Sequence, residues 1–179
     1  MIEGKKVNLR AYEKTDIDEC LKWLNDPEVM TTLMMKYPVS RYQEEKWMEK
    51  MLEAADGRNR LFALETKDRL YLGGIGLHNI NWESGNAEVG IVIGKKEYWS
   101  KGYGTDAMMT VLDFAFSQMN LHRVYLRVYD FNLRGIRSYE KCGFKKEGVL
   151  RHDRYVNGEY HDTIIMGILK EEFEKIPKE

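Results

Sequence analysis

Cysteine and proline are scarce in this chain. Of its 179 residues two are Cys, Cys20 and Cys142, and three are Pro, Pro27, Pro38 and Pro177. Two distant cysteines exclude a disulfide scaffold and give no metal spacing. Cys142, next to a helix end, reads as a small buried side chain rather than a nucleophile. Three isolated prolines exclude a proline-rich linker. No apolar run approaches the roughly 20 residues of a bilayer span, and MIEGKKVNLR holds no apolar signal core, so no membrane partner is expected and the cytoplasm is the expected compartment. The formal net charge is −1. Without a broad basic footprint, no nucleic-acid partner is expected. His78, His122, His152 and His161 form no i,i+4 pair, and no metal is expected.

What is present is ordinary globular composition, 43% apolar and 32% charged. Without repeats or a linker, residues 1–179 read as one domain. Val7–Tyr12 reads as a strand. Thr15 opens a helix, with Asp18 placed for a capping box and Ile17, Leu21 and Leu24 on one face. Asp26–Pro27 starts a second helix. Ser40 and Gln43 suit a capping box for a third, running to about Ala55. Leu61–Thr66, Leu70–His78 and Ala87–Ile93 form a meander with turns at Lys67–Asp68 and Glu83–Gly85. Met108, Val111, Leu112, Ala115 and Met119 recur at helical spacing over 105–119. Arg123–Tyr129 alternates as a strand. Asn132 caps a short helix that Gly143 ends, and Asn157–Gly158 marks a closing hairpin. The terminal KEEFEKIPKE is charged and is expected to fray. The pattern predicts a mixed α/β (α+β) sheet covered by helices.

The stretch YWSKGYGTDA, residues 98–107, carries the strongest chemical signal. Gly102 and Gly104 suit a plain turn into a helix. With Ala107 they also match G-x-G-x-x-G/A, with Asp130 at the next strand end, as in an NAD(P)-dependent enzyme. That spacing is longer than the usual ~20 residues, and the chain has no room for a second nucleotide-binding half. A third reading is a pyrophosphate cradle at a helix N-terminus, where backbone N–H groups and the helix dipole favour phosphate. Gly90 interrupts the preceding strand, AEVGIVI, as at a bulge or close backbone approach.

YWSKGYGTDA, then Asn132, then IRSYEKCGF resemble the GNAT superfamily of acetyl-CoA-dependent N-acetyltransferases. NDPEVM and GVLRHDRYVNGEYHD resemble its branch of ribosomal-protein N-terminal and spermidine acetyltransferases. The resemblance implies a mostly antiparallel sheet of about seven strands with a splayed parallel central pair, flanked by helices. It implies that Lys101, Gly102, Tyr103, Gly104 and Thr105 bind the pyrophosphate of acetyl-CoA. Ile91, Val92 and Ile93 would line the pantetheine arm, Asn132 would contact the coenzyme, and Tyr139 would protonate the leaving thiolate. A homodimer is implied as well. Trp99 stands where the family favours Gln or Arg, so the grip would rest on backbone. The acceptor would be a protein N-terminus, a polyamine or another small amine. A non-catalytic coenzyme-binding or regulatory domain is the competing class.

An attacking ammonium must lose a proton, since such amines ionise near pKa ~10.4. Glu88, opening the strand beside the acyl site, is the candidate base. Glu28, Met34 and Tyr37 are the candidate acceptor contacts. Lys36 stands where the spermidine enzymes carry acid, which argues against a polyamine.

Overall fold

The computed structural model describes residues 1–33, 35, 37–53 and 57–177. In chain order its elements are β1 (Ile2–Glu3), β2 (Val7–Arg10), α1 (Asp16–Leu24), α2 (Pro27–Leu33), α3 (Arg41–Glu53), β3 (Arg60–Thr66), β4 (Tyr71–Asn81), β5 (Asn86–Ile93), α4 (Tyr103–Ser117), β6 (Arg123–Tyr129), α5 (Leu133–Lys141), β7 (Lys145–Val156), β8 (Glu159–Leu169) and α6 (Lys170–Phe173). A short 3₁₀ turn, Lys96–Tyr98, separates β5 from the glycine loop.

The strands form one sheet in the order β1-β2-β3-β4-β5-β6-β8-β7. Every neighbouring pair is antiparallel except β5–β6. The mixed sheet with a parallel central pair is therefore as expected. It has eight strands rather than about seven, because Ile2–Glu3 adds a two-residue edge, too short for a periodic signal.

Burial splits by face. Successive strand residues point to opposite sides. Leu64 and Leu72 join a core with Met108, Val111, Leu112 and Ala115 of α4, while Ala63 and Tyr71 join a second cluster with Cys20, Trp23 and Leu24 of α1. The sheet thus carries α4 on one side and α1 on the other. The amphipathic reading of 105–119 selects the buried α4 side chains.

Local chemistry explains several ends. Ser40 and Gln43 form both halves of the capping box, Gln43 N–H to Ser40 Oγ at 3.2 Å and Ser40 N–H to Gln43 Oε1 at 2.9 Å. Asn132 Oδ1 accepts from Gly135 N–H at 3.0 Å and caps α5. The expected box at Thr15 and Asp18 does not form. Thr15 is itself helical and makes no cap, and Asp18 pairs with Arg41. Asp16 takes over, accepting from Glu13 N–H at 2.9 Å. Nor does the tail fray throughout. Phe173 is buried and packs at a tilt against Phe116, with ring centroids 5.4 Å apart, and Ile176 packs on the main core. Two apolar residues anchor a segment whose composition is dominated by charge.

Candidate active site

The parallel pairing is short. Asn86, Ala87 and Glu88 face Arg123, Val124 and Tyr125, and the pairing stops there. β5 stays paired with β4 to Ile93, so its other edge carries backbone groups without a strand partner. Alternation identifies them. Gly94 donates its N–H to the Leu72 carbonyl, next to the Gly73–Ile93 pair. Bonded and unbonded pairs alternate along an antiparallel ladder. Val92 therefore turns its backbone toward β4, and Ile91 and Ile93 turn theirs into the gap. The Ile93 carbonyl accepts a 2.6 Å hydrogen bond from the Trp99 indole. The Arg134 guanidinium stacks 3.5 Å from the centre of the Trp99 ring, linking the two sides of the gap.

The gap opens into a cavity of about 1140 Å³. Its lining includes Ile91, Val92, Ile93, Gly102, Gly104, Thr105, Asn132 and Tyr139, so the splay, the glycine loop and α5 meet in one space. Its floor on the α1 side is bare sheet. Gly74, Gly76 and Gly90 all line it. A Cβ at Gly74 would lie 1.8 Å from the Tyr12 hydroxyl, and one at Gly76 would lie 2.4 Å from Leu61 Cδ2. Gly90 leaves room for His78, whose Nε2 is 3.5 Å from the place a Cβ would occupy.

Gly102 is the N-cap of α4 and takes φ 85°, in the left-handed region that favours glycine. The first N–H groups of α4 have no intrahelical partner. Lys6 Nζ donates to the Lys101 carbonyl at 2.9 Å. In a trans peptide the C=O and N–H point opposite ways, so this bond fixes the direction of the Gly102 N–H. Asp106 accepts from Lys5, Lys6 and Val7 N–H at 3.1, 2.7 and 3.0 Å, tying the β1–β2 loop to the first turn of α4. Thr105 Oγ1 lies 3.0 Å from Ser138 Oγ, and the Cys142 thiol, buried, donates to the Thr105 carbonyl at 3.7 Å. The loop is held from both flanks. Lys6 and Asp106 carry no signal in the sequence, because a contact 95 or more residues away is invisible to local pattern.

Tyr139 is on α5, with its ring 6.1 Å from that of Phe144. Burial pushes its phenol up to about 12, and the nearby Arg134 charge pulls weakly the other way. It stays neutral at physiological pH. Glu88 sits where the parallel pairing ends. It pairs with Arg127 at 3.7 Å and is not among the cavity-lining residues. His78 is directly opposite it on β4 and does line the cavity. Burial lowers the His78 imidazole below its usual value, with Glu88 opposing, so a neutral, proton-accepting ring faces the space. Among the described residues, no group of three His, Cys, Asp or Glu side chains gathers as a metal site.

The other half of the cavity is built by α1 and α3. Tyr12, Cys20, Trp23, Trp47 and Tyr71 line it, with Glu44 among them. Glu44 is 5% exposed, and its carboxylate accepts from the Cys20 thiol at 3.5 Å. Burial raises this carboxyl above the usual range. The native protein then holds a proton that the unfolded chain releases, so stability falls as pH rises from the unfolded value toward the native one. Gln keeps the shape and never ionises. Glu44→Gln is therefore expected to melt above wild type at about pH 8 and to converge with it near pH 4. Each kcal/mol relieved is worth about 2–4 °C by calorimetry. An equal or lower melting point at pH 8 would remove the desolvation strain.

Of the three expected acceptor contacts, one lines the cavity. Tyr37 lines the cavity and is 79% exposed. Glu28 pairs with Lys96 at 3.2 Å and is not in the lining. Met34 lies outside the described residues. Lys101 and Tyr103, on either side of Gly102, are not among the cavity-lining residues.

A splayed parallel pair, a left-handed glycine at a helix N-terminus and a partly buried tyrosine beside them define an acyltransferase. The chain belongs to the acetyltransferase (GNAT) domain family, whose model matches residues 6–145. It is 31% identical over 181 residues to spermidine N(1)-acetyltransferase of Escherichia coli K12, covering 97% of this chain and 91% of that one. The structure of spermidine N-acetyltransferase from Vibrio cholerae in complex with CoA and spermine superposes with TM-score 0.86 at 30% identity, covering 95% of this chain and 99% of that one. A dodecameric structure of the Vibrio enzyme superposes with TM-score 0.79 at 30% identity over 95% of this chain and 97% of that one. The chain is thus an N-acetyltransferase that moves an acetyl group to an amine, as its resemblance implied.

Proposed function

We propose that acetyl-CoA is the donor, bound with its pyrophosphate on the N–H groups of Gly102–Thr105 and its pantetheine arm along Ile91–Ile93. The observation that carries this reading is the splay: β5 turns the Ile91 backbone into a gap that ends at an uncapped helix N-terminus. The Ile91 N–H is the donor available to the carbonyl oxygen as it gains charge. Asn132 shapes the α5 end, and Tyr139 hydrogen-bonds the departing sulfur. The acceptor amine enters from the α1 side. His78 takes its proton at the cavity surface, and Glu88 acts behind it, across the strand pair. Cations on the opposite wall, Arg134, Arg137 and Lys141 of α5, suit a polyanionic donor.

Binding through backbone makes the Gly102 conformation essential. An L-residue held left-handed costs roughly 1–2 kcal/mol. Gly102→Ala is therefore expected to weaken acetyl-CoA about 5–30-fold by isothermal calorimetry. Unchanged affinity would remove the loop from the phosphate site. A second copy of the chain is the expected partner, as a homodimer. The sheet ends on β7, a long edge strand that exposes Leu150 and Tyr155, and sedimentation gives the stoichiometry. Cytoplasmic residence agrees with two buried free cysteines.

A further inference from the structure

The described residues that line the cavity carry charge very unevenly. Arg127, Arg134, Arg137 and Lys141 line the β6–α5 side, and Glu44 is the sole carboxylate among all of them. Around Glu44 the wall is aromatic. Tyr12 and Tyr71 meet edge to face at 6.5 Å, Trp23 packs on Tyr71 at 5.4 Å, and Trp47 stands one helical turn from Glu44. Four cations against one carboxylate suit a polyanion on one side. On the other they leave a counter-ion for one ammonium group only.

We propose that the acceptor is an amine with a single positive charge on an apolar body, its ammonium held by Glu44 and its body by the aromatic wall. The inference rests on the acetyl-transfer reading above and names the substrate class for that site. An ionised carboxylate accepts at about four lone-pair positions, and Glu44 has one weak thiol partner, so an ammonium satisfies both groups. The aromatic faces add cation–π attraction and apolar contact. A polyamine must bring two or more further ammonium groups to a lining whose described residues offer no second carboxylate and whose four cations repel them. Before transfer the bound ammonium gives one proton to His78. Nitrogen then bonds to the acetyl carbon as the carbon–sulfur bond breaks; nitrogen gives up its second proton and the thiolate takes one at the Tyr139 hydroxyl, so amide and free thiol form and His78 returns its proton to solvent.

Two sources share this chemistry: a free arylalkylamine, and a peptide N-terminus whose first side chain is apolar. The test uses the full chain loaded with CoA. Phenylethylamine, a neutral peptide beginning with Phe, spermidine and spermine are titrated at constant ionic strength, with intrinsic tryptophan fluorescence as readout, since three of the four tryptophans, Trp23, Trp47 and Trp99, line the cavity. At least one of the first two is expected to bind tenfold or more tighter than spermidine, and which one does so names the source. Glu44→Gln is expected to weaken it tenfold or more while CoA affinity stays within about twofold. Spermidine binding as tightly as the apolar amines, or tight apolar binding that survives Glu44→Gln, would overturn the substrate class. Turnover with acetyl-CoA is scored separately. Selective binding without acetyl transfer contradicts the acetyl-transfer reading and leaves the class standing.

Discussion

Tyr139→Phe is expected to lower kcat by about 10²–10⁴-fold, the range for loss of a positioned proton donor, with acetyl-CoA affinity within about twofold of wild type. Only a hydroxyl is removed, and the ring keeps its packing against Phe144, so the fold survives. The magnitude follows from what the phenol faces. A thiol in water ionises near pKa ~8.5, while burial holds Tyr139 at about 12. Taken alone, moving the proton fully across that gap is uphill by about 5 kcal/mol. The same apolar surroundings also make the departing thiolate more basic. A strong hydrogen bond in the transition state, rather than early proton release, is therefore what the hydroxyl supplies. A phenol that remains neutral also predicts no alkaline limb from this group across the ordinary working range. Unchanged kcat with chemistry rate-limiting would remove Tyr139 from the reaction.

Arg10→Met is the second large effect, and it is structural. Arg10 grips Asp16 through two nitrogens at 2.7 and 2.8 Å and Glu65 through its Nε at 2.8 Å. The carboxylates are 5% and 3% exposed, and they hold the guanidinium above its usual value. Removing the cation takes away the ion-pair partner of the buried Asp16 and leaves the buried Glu65 with only the exposed Arg69 at 3.6 Å, which costs about 3–5 kcal/mol. For this length that is a melting point lower by roughly 6–20 °C. Replacing the carboxylates as well, with Asp16→Leu and Glu65→Met, should recover most of the loss, since apolar replacement of a whole buried ionic cluster is often near neutral. The network joins β2, β3 and the start of α1, and α1 supplies Cys20 and Trp23 to the acceptor wall. The variant should therefore raise the amine KM before it weakens acetyl-CoA. Calorimetry and initial rates read the two effects separately. A melting point within about 2 °C of wild type would mean that the cluster is not energetically coupled.

Features governed by local chemistry were legible in the sequence. Gly102 needs a positive φ, Asn132 accepts the N–H of a residue three ahead, Ser40 and Gln43 are reciprocal by spacing, and the 105–119 periodicity picks out the buried face of α4. The NAD(P) reading loses its footing on the same local grounds, because one short parallel pair leaves no second nucleotide half. What was hidden is tertiary. Glu44 and Glu45 are adjacent glutamates in RYQEEKW, and packing against α1 alone decides that Glu44 is buried while Glu45 reaches Arg41. Thr15 has a good cap side chain, but the Arg10–Asp16 pair sets the helix start instead. His78 has no motif. It matters because Gly76 and Gly90, on two strands, clear the sheet beneath it. Trp99 looks like a departure from a phosphate-binding pattern and proves to be the indole that holds the Ile93 carbonyl.

One reaction tests the central claim most directly: purified protein with acetyl-CoA and the preferred amine, with free thiol and acetylated amine counted together over time. Wild type is expected to release one thiol for each amine acetylated, at equal rates, with both signals suppressed together in Tyr139→Phe. Thiol release without acetylated amine, or acetyl-CoA bound and never consumed with any amine, would contradict direct transfer through the splay.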